Sequence, residues 1–249
     1  MSRNRAAKAQ KRMNHVQQEN TIAFDQQALR VAKRRIDLVP RTRNQERLVL
    51  ALQDKTQHIV VTTGPAGTGK TYLAMQAAVK ALREGMTDRL VLTRPAVGVE
   101  DERHGFLPGS LVAKMEPWTR PLLDVMREYY RPQDILTMIE DQVVEIAPLA
   151  FMRGRTFKNS WIIADEMQNA TPAQVKMLMT RIGTNSRIVI TGDVEQADRS
   201  RGDNGLLDLG SRLLKSPVEG IAVIPLEARD VQRHKIIGPV LELYQDLRR

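Results

Sequence analysis

The sequence predicts an α/β protein, a mainly parallel sheet with helices on both faces, and two features carry that prediction. Five short apolar runs, 58–63 (HIVVTT), 89–93 (RLVLT), 161–164 (WIIA), 187–191 (RIVIT) and 221–225 (IAVIP), are interleaved with stretches of helical periodicity. Runs that are apolar at consecutive positions suit strands buried on both faces, and helical connections supply that cover. The second feature is Gly64-Pro65-Ala66-Gly67-Thr68-Gly69-Lys70-Thr71, which follows the first run and opens a helix. Strand, glycine-rich loop and helix in that order make a phosphate-binding unit.

Along the chain, Ile22, Phe24, Ala28, Leu29, Val31, Ala32, Ile36 and Leu38 recur at loose helical spacing and Pro40 closes the segment, so a helix is predicted over 22–38. A short helix over 45–52, the strand 58–63, a helix over 69–83 and the strand 89–93 follow. Between 96 and 159 the pattern is irregular, with a helical stretch near 119–128 and a strand near 143–148. That length exceeds what one crossover needs, so an inserted subregion is predicted at about 96–159. The strand 161–164, a helix over 172–182, the strands 187–191 and 221–225 and a last helix over 236–247 complete the reading. Neither an internal repeat nor a second domain of comparable size is visible.

The 249 residues hold 38 Lys and Arg against 29 Asp and Glu, a formal charge of +9, and no cysteine. A disulfide scaffold and a cysteine-ligated zinc module are excluded, and His104 and His234 lack partners at ligand spacing. Residues 1–43 hold eleven Lys and Arg against three Asp and Glu, which leaves 27 against 26 in the other 206. The surplus therefore sits in a basic N-terminal arm, 1–43, ahead of a domain predicted over 44–249. A transit-like segment, a nucleic-acid arm and a solvated tail all suit such an arm, the first least because no apolar stripe marks its first twenty residues. With no run of eighteen apolar residues and no signal-peptide core, a cytoplasmic location without membrane contact is expected.

Gly64, Gly67 and Gly69 permit backbone angles and close approaches that a Cβ blocks, and Pro65, Ala66 and Thr68 complete a loop whose N–H groups surround phosphates. Lys70 is placed to reach the β- and γ-phosphates and the Thr71 hydroxyl to ligate Mg²⁺. The run 161–164 ends in Asp165-Glu166. Asp165 suits Mg²⁺, directly or through water, and Glu166 the polarisation of an attacking water, although such a pair also suits a cap ahead of Thr171-Pro172. A further strand ends in Thr191-Gly192-Asp193, followed by Val194-Glu195-Gln196. A parallel sheet brings Asp193 and Gln196 to the same carboxyl edge, where Gln196 can meet a γ-phosphate or water, unless the segment is only a polar turn.

GPAGTGKT, LTRPAV with GFLPGSL, RGRTF, IIADEMQN and TGDVEQAD, in this order and spacing, resemble the PhoH-like ATPases, relatives of the superfamily 1 helicase core. The resemblance spans about Gln45 to Tyr244 and leaves the basic arm outside. It implies a single RecA-like P-loop domain that binds ATP with Mg²⁺ and hydrolyses it. Members are associated with phosphate starvation and RNA metabolism, and some carry a fused nuclease domain; nuclease activity is not expected of the residues here. By the same resemblance Gln45 matches a glutamine that reads adenine, Arg94 and the pair Arg153 and Arg155 match nucleic-acid contacts, and Arg233 in Arg229-Asp230-Val231-Gln232-Arg233-His234 matches a γ-phosphate contact. A helix-surface glutamine, exposed arginines and a surface ion pair are the plainer readings of these positions. A single RecA-like domain supplies no second arginine in cis, which implies a homo-oligomer such as a hexameric ring.

Two function classes lead. One is an ATPase that remodels or moves along RNA or another single strand, with catalytic roles for Lys70, Glu166, Gln196 and Arg233. The other is a nucleotide-dependent adaptor that regulates a partner nuclease with little turnover. A small-molecule kinase is disfavoured by Glu166 and by the lack of an arginine cluster after the last strand. Aromatic content of 4% leaves Trp118, Phe106 and Tyr129 as base-stacking candidates, which weakens a case for strong unwinding.

Overall fold

A computed structural model of the chain describes residues 35–95, 111–197 and 203–232, with the backbone course alone for 111–118. The elements are α1 (Arg43–Gln53), β1 (Ile59–Thr63), α2 (Lys70–Arg83), β2 (Arg89–Arg94), α3 (Leu111–Arg127), α4 (Pro132–Glu140), β3 (Val144–Pro148), β4 (Ser160–Ala164), α5 (Pro172–Met179), β5 (Arg187–Gly192), α6 (Gly205–Lys215) and β6 (Ile221–Pro225). The six strands form one sheet in the order β3-β2-β4-β5-β1-β6, and every pairing is parallel. The predicted class stands.

Strand residues alternate between two cores, as the two-residue period of a pleated strand requires. Val60, Leu90, Leu92, Ile163 and Val189 pack under α1 to α4 with Leu48, Met75, Leu122 and Ile135. Their neighbours Ile59, Val61, Val91, Ile162, Ile188 and Ile190 pack on the opposite face under α5 and α6 with Val175, Leu178, Leu206 and Leu209. Local signals set the helix starts. Thr42 accepts from the Gln45 N–H to begin α1, Pro132 opens α4, and Thr171 with Gln174 forms a reciprocal capping box ahead of α5.

The elements depart from the sequence reading in several places. Residues 35–40 carry no helix, so the helix expected over 22–38 does not reach its predicted end; Ile36 is instead buried against the first core, and the remainder of that segment lies outside the described residues. The predicted helix at 119–128 starts at Leu111, and α5 stops at Met179, short of 182. Within the irregular stretch, β3 returns to the sheet as an edge strand beside β2, while α4 and, further on, α6 are helices the periodicity did not reveal. The helix expected at 236–247 lies outside the described residues.

The edge strand β3 is fastened by charge. Glu145 takes a hydrogen-bonded ion pair from Arg155 and a longer contact of 3.4 Å from Arg89, while the Arg155 guanidinium stacks 4.5 Å from the Phe157 ring centroid. Hydrogen bonding from Arg155 outweighs burial and holds the Glu145 carboxyl below its ordinary range. A depressed carboxyl contributes stability above its unfolded value, and the contribution is lost as pH falls through the folded one. Glu145→Gln is therefore expected to lower stability by roughly 1–2 kcal/mol at neutral pH, with the gap to wild type closing as pH falls below about 4. Urea unfolding across a pH series measures this, and a gap that stays constant with pH contradicts it.

Candidate nucleotide site

The loop 64–69 joins β1 to α2 at the carboxyl edge of the sheet. Gly64 has φ 139°, and a Cβ there would lie 2.2 Å from the Leu226 carbonyl oxygen, so this position accepts glycine alone. Gly69 takes φ 83° as the residue that launches α2. Buried Lys70 folds back along the loop, its ammonium donating to the carbonyls of Gly64 at 2.5 Å and Pro65 at 2.8 Å. The Thr68 hydroxyl donates to the Pro65 carbonyl at 2.8 Å. From outside, the Gln45 amide braces the loop: its Nε2 donates to the Thr68 carbonyl at 2.9 Å, and its Oε1 accepts from the Arg41 N–H at 2.7 Å.

Two other strand ends meet this loop. Asp165 follows β4, and its Oδ1 accepts from the Thr71 hydroxyl at 2.7 Å and from the Thr191 hydroxyl of β5. Two hydroxyls converging on one carboxylate oxygen beside a phosphate loop form an all-oxygen donor set that suits Mg²⁺, with Thr71 and Asp165 as its holders. Glu166 comes next, with φ 54° and ψ 37°. A left-handed conformation in a residue with a Cβ costs on the order of 1 kcal/mol and persists only where the surroundings enforce it. Asp193, after β5, accepts from the Ala66 N–H of the loop at 3.1 Å through Oδ2 and from the Glu195 N–H through Oδ1. Lys70, Thr71, Asp165, Glu166 and Asp193 line a cleft of about 260 Å³ that also takes in Tyr72 and Gln196. A larger groove, about 1080 Å³, opens at the opposite edge among the first residues of β1, β4, β5 and β6, and it contains none of these groups.

The last described segment also belongs to the site. After β6, the Leu226 N–H donates to the Thr63 carbonyl at 2.7 Å and the Gln232 N–H to the Gly67 carbonyl at 2.9 Å. Asp230, between them, accepts from the Asn44 amide at 2.7 Å and from the Glu227 N–H at 2.7 Å. Burial would raise its carboxyl, but hydrogen bonds from Thr42, Asn44 and Glu227, with Arg229 nearby, hold it below the usual range. Arg233, the expected γ-phosphate contact, lies outside the described residues.

The predicted nucleic-acid arginines do not behave alike. Arg94 ends β2, half-buried, and Arg153 is exposed just after the turn that follows β3. Arg155 is engaged by Glu145 and Phe157, so the structure gives it a place in the fold. Of the stacking candidates, Tyr129 is buried with its hydroxyl accepting from Gln76 at 2.7 Å, which removes it from that role. Phe106 and the Trp118 side chain lie outside the described residues. Among those described, no group of three or more His, Cys, Asp and Glu is placed to hold a metal, and no helix is long and apolar enough to cross a membrane.

Comparison with known proteins agrees with the motifs. Residues 37–245 match the family described as PhoH-like protein. A PhoH-like protein of Synechocystis sp. is 41% identical over 92% of this chain and 68% of its own length, and one of Bacillus subtilis is 44% identical over 82% of this chain and 63% of its own. The chain thus spans about two-thirds of these relatives. Among solved structures, the Hef helicase domain of Pyrococcus furiosus overlaps 75% of this chain and 38% of its own, with a TM-score of 0.42 and 12% identity, too remote to bear on function.

Three residues with direct roles in this geometry escaped the sequence reading. Thr191 was visible as the penultimate residue of a strand, Tyr72 as the aromatic after Thr71, and Gln168 as the amide two positions beyond Glu166. Burial and the Glu128 carboxylate, which accepts from its hydroxyl at 3.1 Å, push Tyr72 up to about 12, so the hydroxyl keeps its proton and spends it on Glu128 while accepting from the Gln76 amide at 2.9 Å. Gln45, for its part, braces the loop through its Nε2 while its Oε1 is held by the Arg41 N–H, and it is 4% exposed. Gln45→Ala leaves a buried carbonyl without its donor and is expected to lower stability by about 1–3 kcal/mol in the absence of nucleotide. Denaturant unfolding of the nucleotide-free protein reads this directly, and an unchanged midpoint would contradict the bracing role.

Proposed function

Because the chain belongs to the PhoH-like protein family, we propose that it is a Mg²⁺-dependent ATPase whose turnover is coupled to RNA or another single-stranded nucleic acid. The observation that carries the reading is the convergence of Lys70, Thr71, Asp165, Glu166 and Asp193 on one cleft at the ends of β1, β4 and β5. A triphosphate entering it offers Lys70 phosphate oxygens in exchange for the two carbonyls it now holds, and the loop's N–H groups and the start of α2 receive the rest of the charge. Mg²⁺ bound at Thr71 and Asp165 would supply charge neutralisation at the phosphates. Glu166 accepts the proton of the attacking water as the oxygen closes on the γ-phosphorus and the bond to the β-phosphate oxygen breaks. Gln196 faces the same cleft and suits a hydrogen bond to the γ-phosphate or that water. In an oligomer, Arg233 of one subunit or an arginine of its neighbour would complete the charge.

A surface feature supports the nucleic-acid half of the reading. Arg94 pairs in register with Pro148, and the turn directly after it carries Phe151, 56% exposed, and exposed Arg153. An exposed aromatic and two arginines on neighbouring strand ends supply the chemistry that stacks a base and meets its phosphate. The arm of residues 1–43 adds positive charge ahead of the domain. The rival reading is a nucleotide-dependent adaptor that regulates a partner nuclease with little turnover of its own.

Hydrolysis measured with and without single-stranded RNA and DNA separates the two. Lys70→Ala is expected to abolish ATP binding, and Glu166→Gln to retain binding while losing about 10²–10⁴-fold in kcat. Phe151→Ala with Arg153→Ala is expected to weaken RNA binding and the stimulation it brings by tenfold or more. Turnover absent from the wild type under every condition sinks the ATPase reading, and turnover indifferent to any single strand sinks the coupling. Light scattering with and without ATP tests the oligomer, and a strict monomer that hydrolyses ATP removes the arginine in trans.

A further inference from the structure

Gln168 is 1% exposed and sits in the short 3-10 turn Met167–Asn169 that follows Glu166. Both ends of its amide are engaged. Nε2 donates to Glu166 Oε2 at 2.5 Å, and Oε1 accepts from the Asp193 N–H at 3.1 Å. Asp193 in turn receives the Ala66 N–H at 3.1 Å, so a line of hydrogen bonds joins the phosphate loop, the end of β5 and the Glu166 carboxylate. Gly192 makes room for it, since a Cβ at that position would lie 2.8 Å from Gln168 Oε1 and 3.1 Å from the Gln168 nitrogen.

A buried amide has donors and an acceptor that must each be satisfied, and the two partners here stand on different strand ends. Glu166 has a left-handed backbone, so its side chain leaves β4 in a direction that only its surroundings fix. The Nε2 contact occupies one carboxylate oxygen and orients the other. We propose that Gln168 is a positioning residue for hydrolysis: it holds the Glu166 carboxylate in the attitude from which that group takes the water's proton, and it anchors that hold to Asp193 and the phosphate loop. The inference rests on the ATPase reading, with Glu166 as the base.

The test is a double-mutant cycle read in kcat and in ATP affinity. Gln168→Ala is expected to lower kcat tenfold or more while the Kd for ATP changes less than threefold. In the Glu166→Gln background the same substitution is expected to cost nothing further, because the group it positions is gone. A role confined to packing would cost the same in both backgrounds. Gln168→Met, which keeps the volume and removes the amide, stands in if Gln168→Ala melts early. Full kcat in the Gln168 variants alongside a slow Glu166→Gln overturns this inference alone, as do additive losses in the cycle. Wild-type turnover in Glu166→Gln overturns the base assignment itself, and the role of Gln168 with it.

Discussion

The position of β5 between β1 and β4 in an all-parallel sheet is the constraint on which the site depends. Parallel strands deliver all their carboxyl ends to one edge, so the loop after β1, the carboxylates after β4 and the polar turn after β5 become neighbours without any further device. The register then sets the contacts. Ala164 pairs with Ile190, which puts Asp165 level with Thr191 and lets that hydroxyl reach its carboxylate. Thr63 pairs with Gly192, which puts the loop level with Asp193 and lets the Ala66 N–H find it. A slip of one residue in either pairing would turn these side chains to the other face of the sheet.

Before substrate arrives, the site's polar groups are already paired with one another. Lys70 holds two carbonyls of its own loop, Asp165 holds two hydroxyls, and Asp193 holds a loop N–H. Binding at such a site is an exchange of partners, and the net gain is smaller than the sum of the new contacts. The benefit lies in geometry, because groups held in place lose little freedom when the ligand comes. The same economy explains two glycines at the site, Gly64 against Leu226 and Gly192 against Gln168 and Leu206, where backbone and buried amide approach too closely for a Cβ.

What the sequence made legible is local in origin. The phosphate loop, the carboxylate pair after an apolar run and the strand ends at 63, 164 and 192 follow from a few consecutive residues. Gln168 was quoted within its motif but not as a functional group, because its importance comes from Asp193, 25 residues away in sequence and adjacent only through β5. Arg155 read as a nucleic-acid contact because an arginine in a motif resembles any other until Glu145 is found beside it. The helices α4 and α6 escaped for separate reasons: α4 is a nine-residue segment opened by a proline, and α6 contains two glycines, Gly205 and Gly210, that lower intrinsic helix preference. Gly205 is nonetheless required, since a Cβ there would lie 2.5 Å from the Thr171 carbonyl oxygen.

The segment after β6 that clasps the phosphate loop has a consequence for the order in which the chain acquires its competence. Asn44 and Asp230 meet across 186 residues of sequence, and Gln232 closes on Gly67 from nearly as far. Contacts between residues so distant form only after the intervening chain has been ordered, because their closure entropy is not repaid earlier. The strand-loop-helix unit could take shape early from its own local signals, but the bracing of its loop from both sides waits for β6. A chain emerging from synthesis would therefore gain its finished phosphate cradle late, when almost the whole domain has already condensed around it.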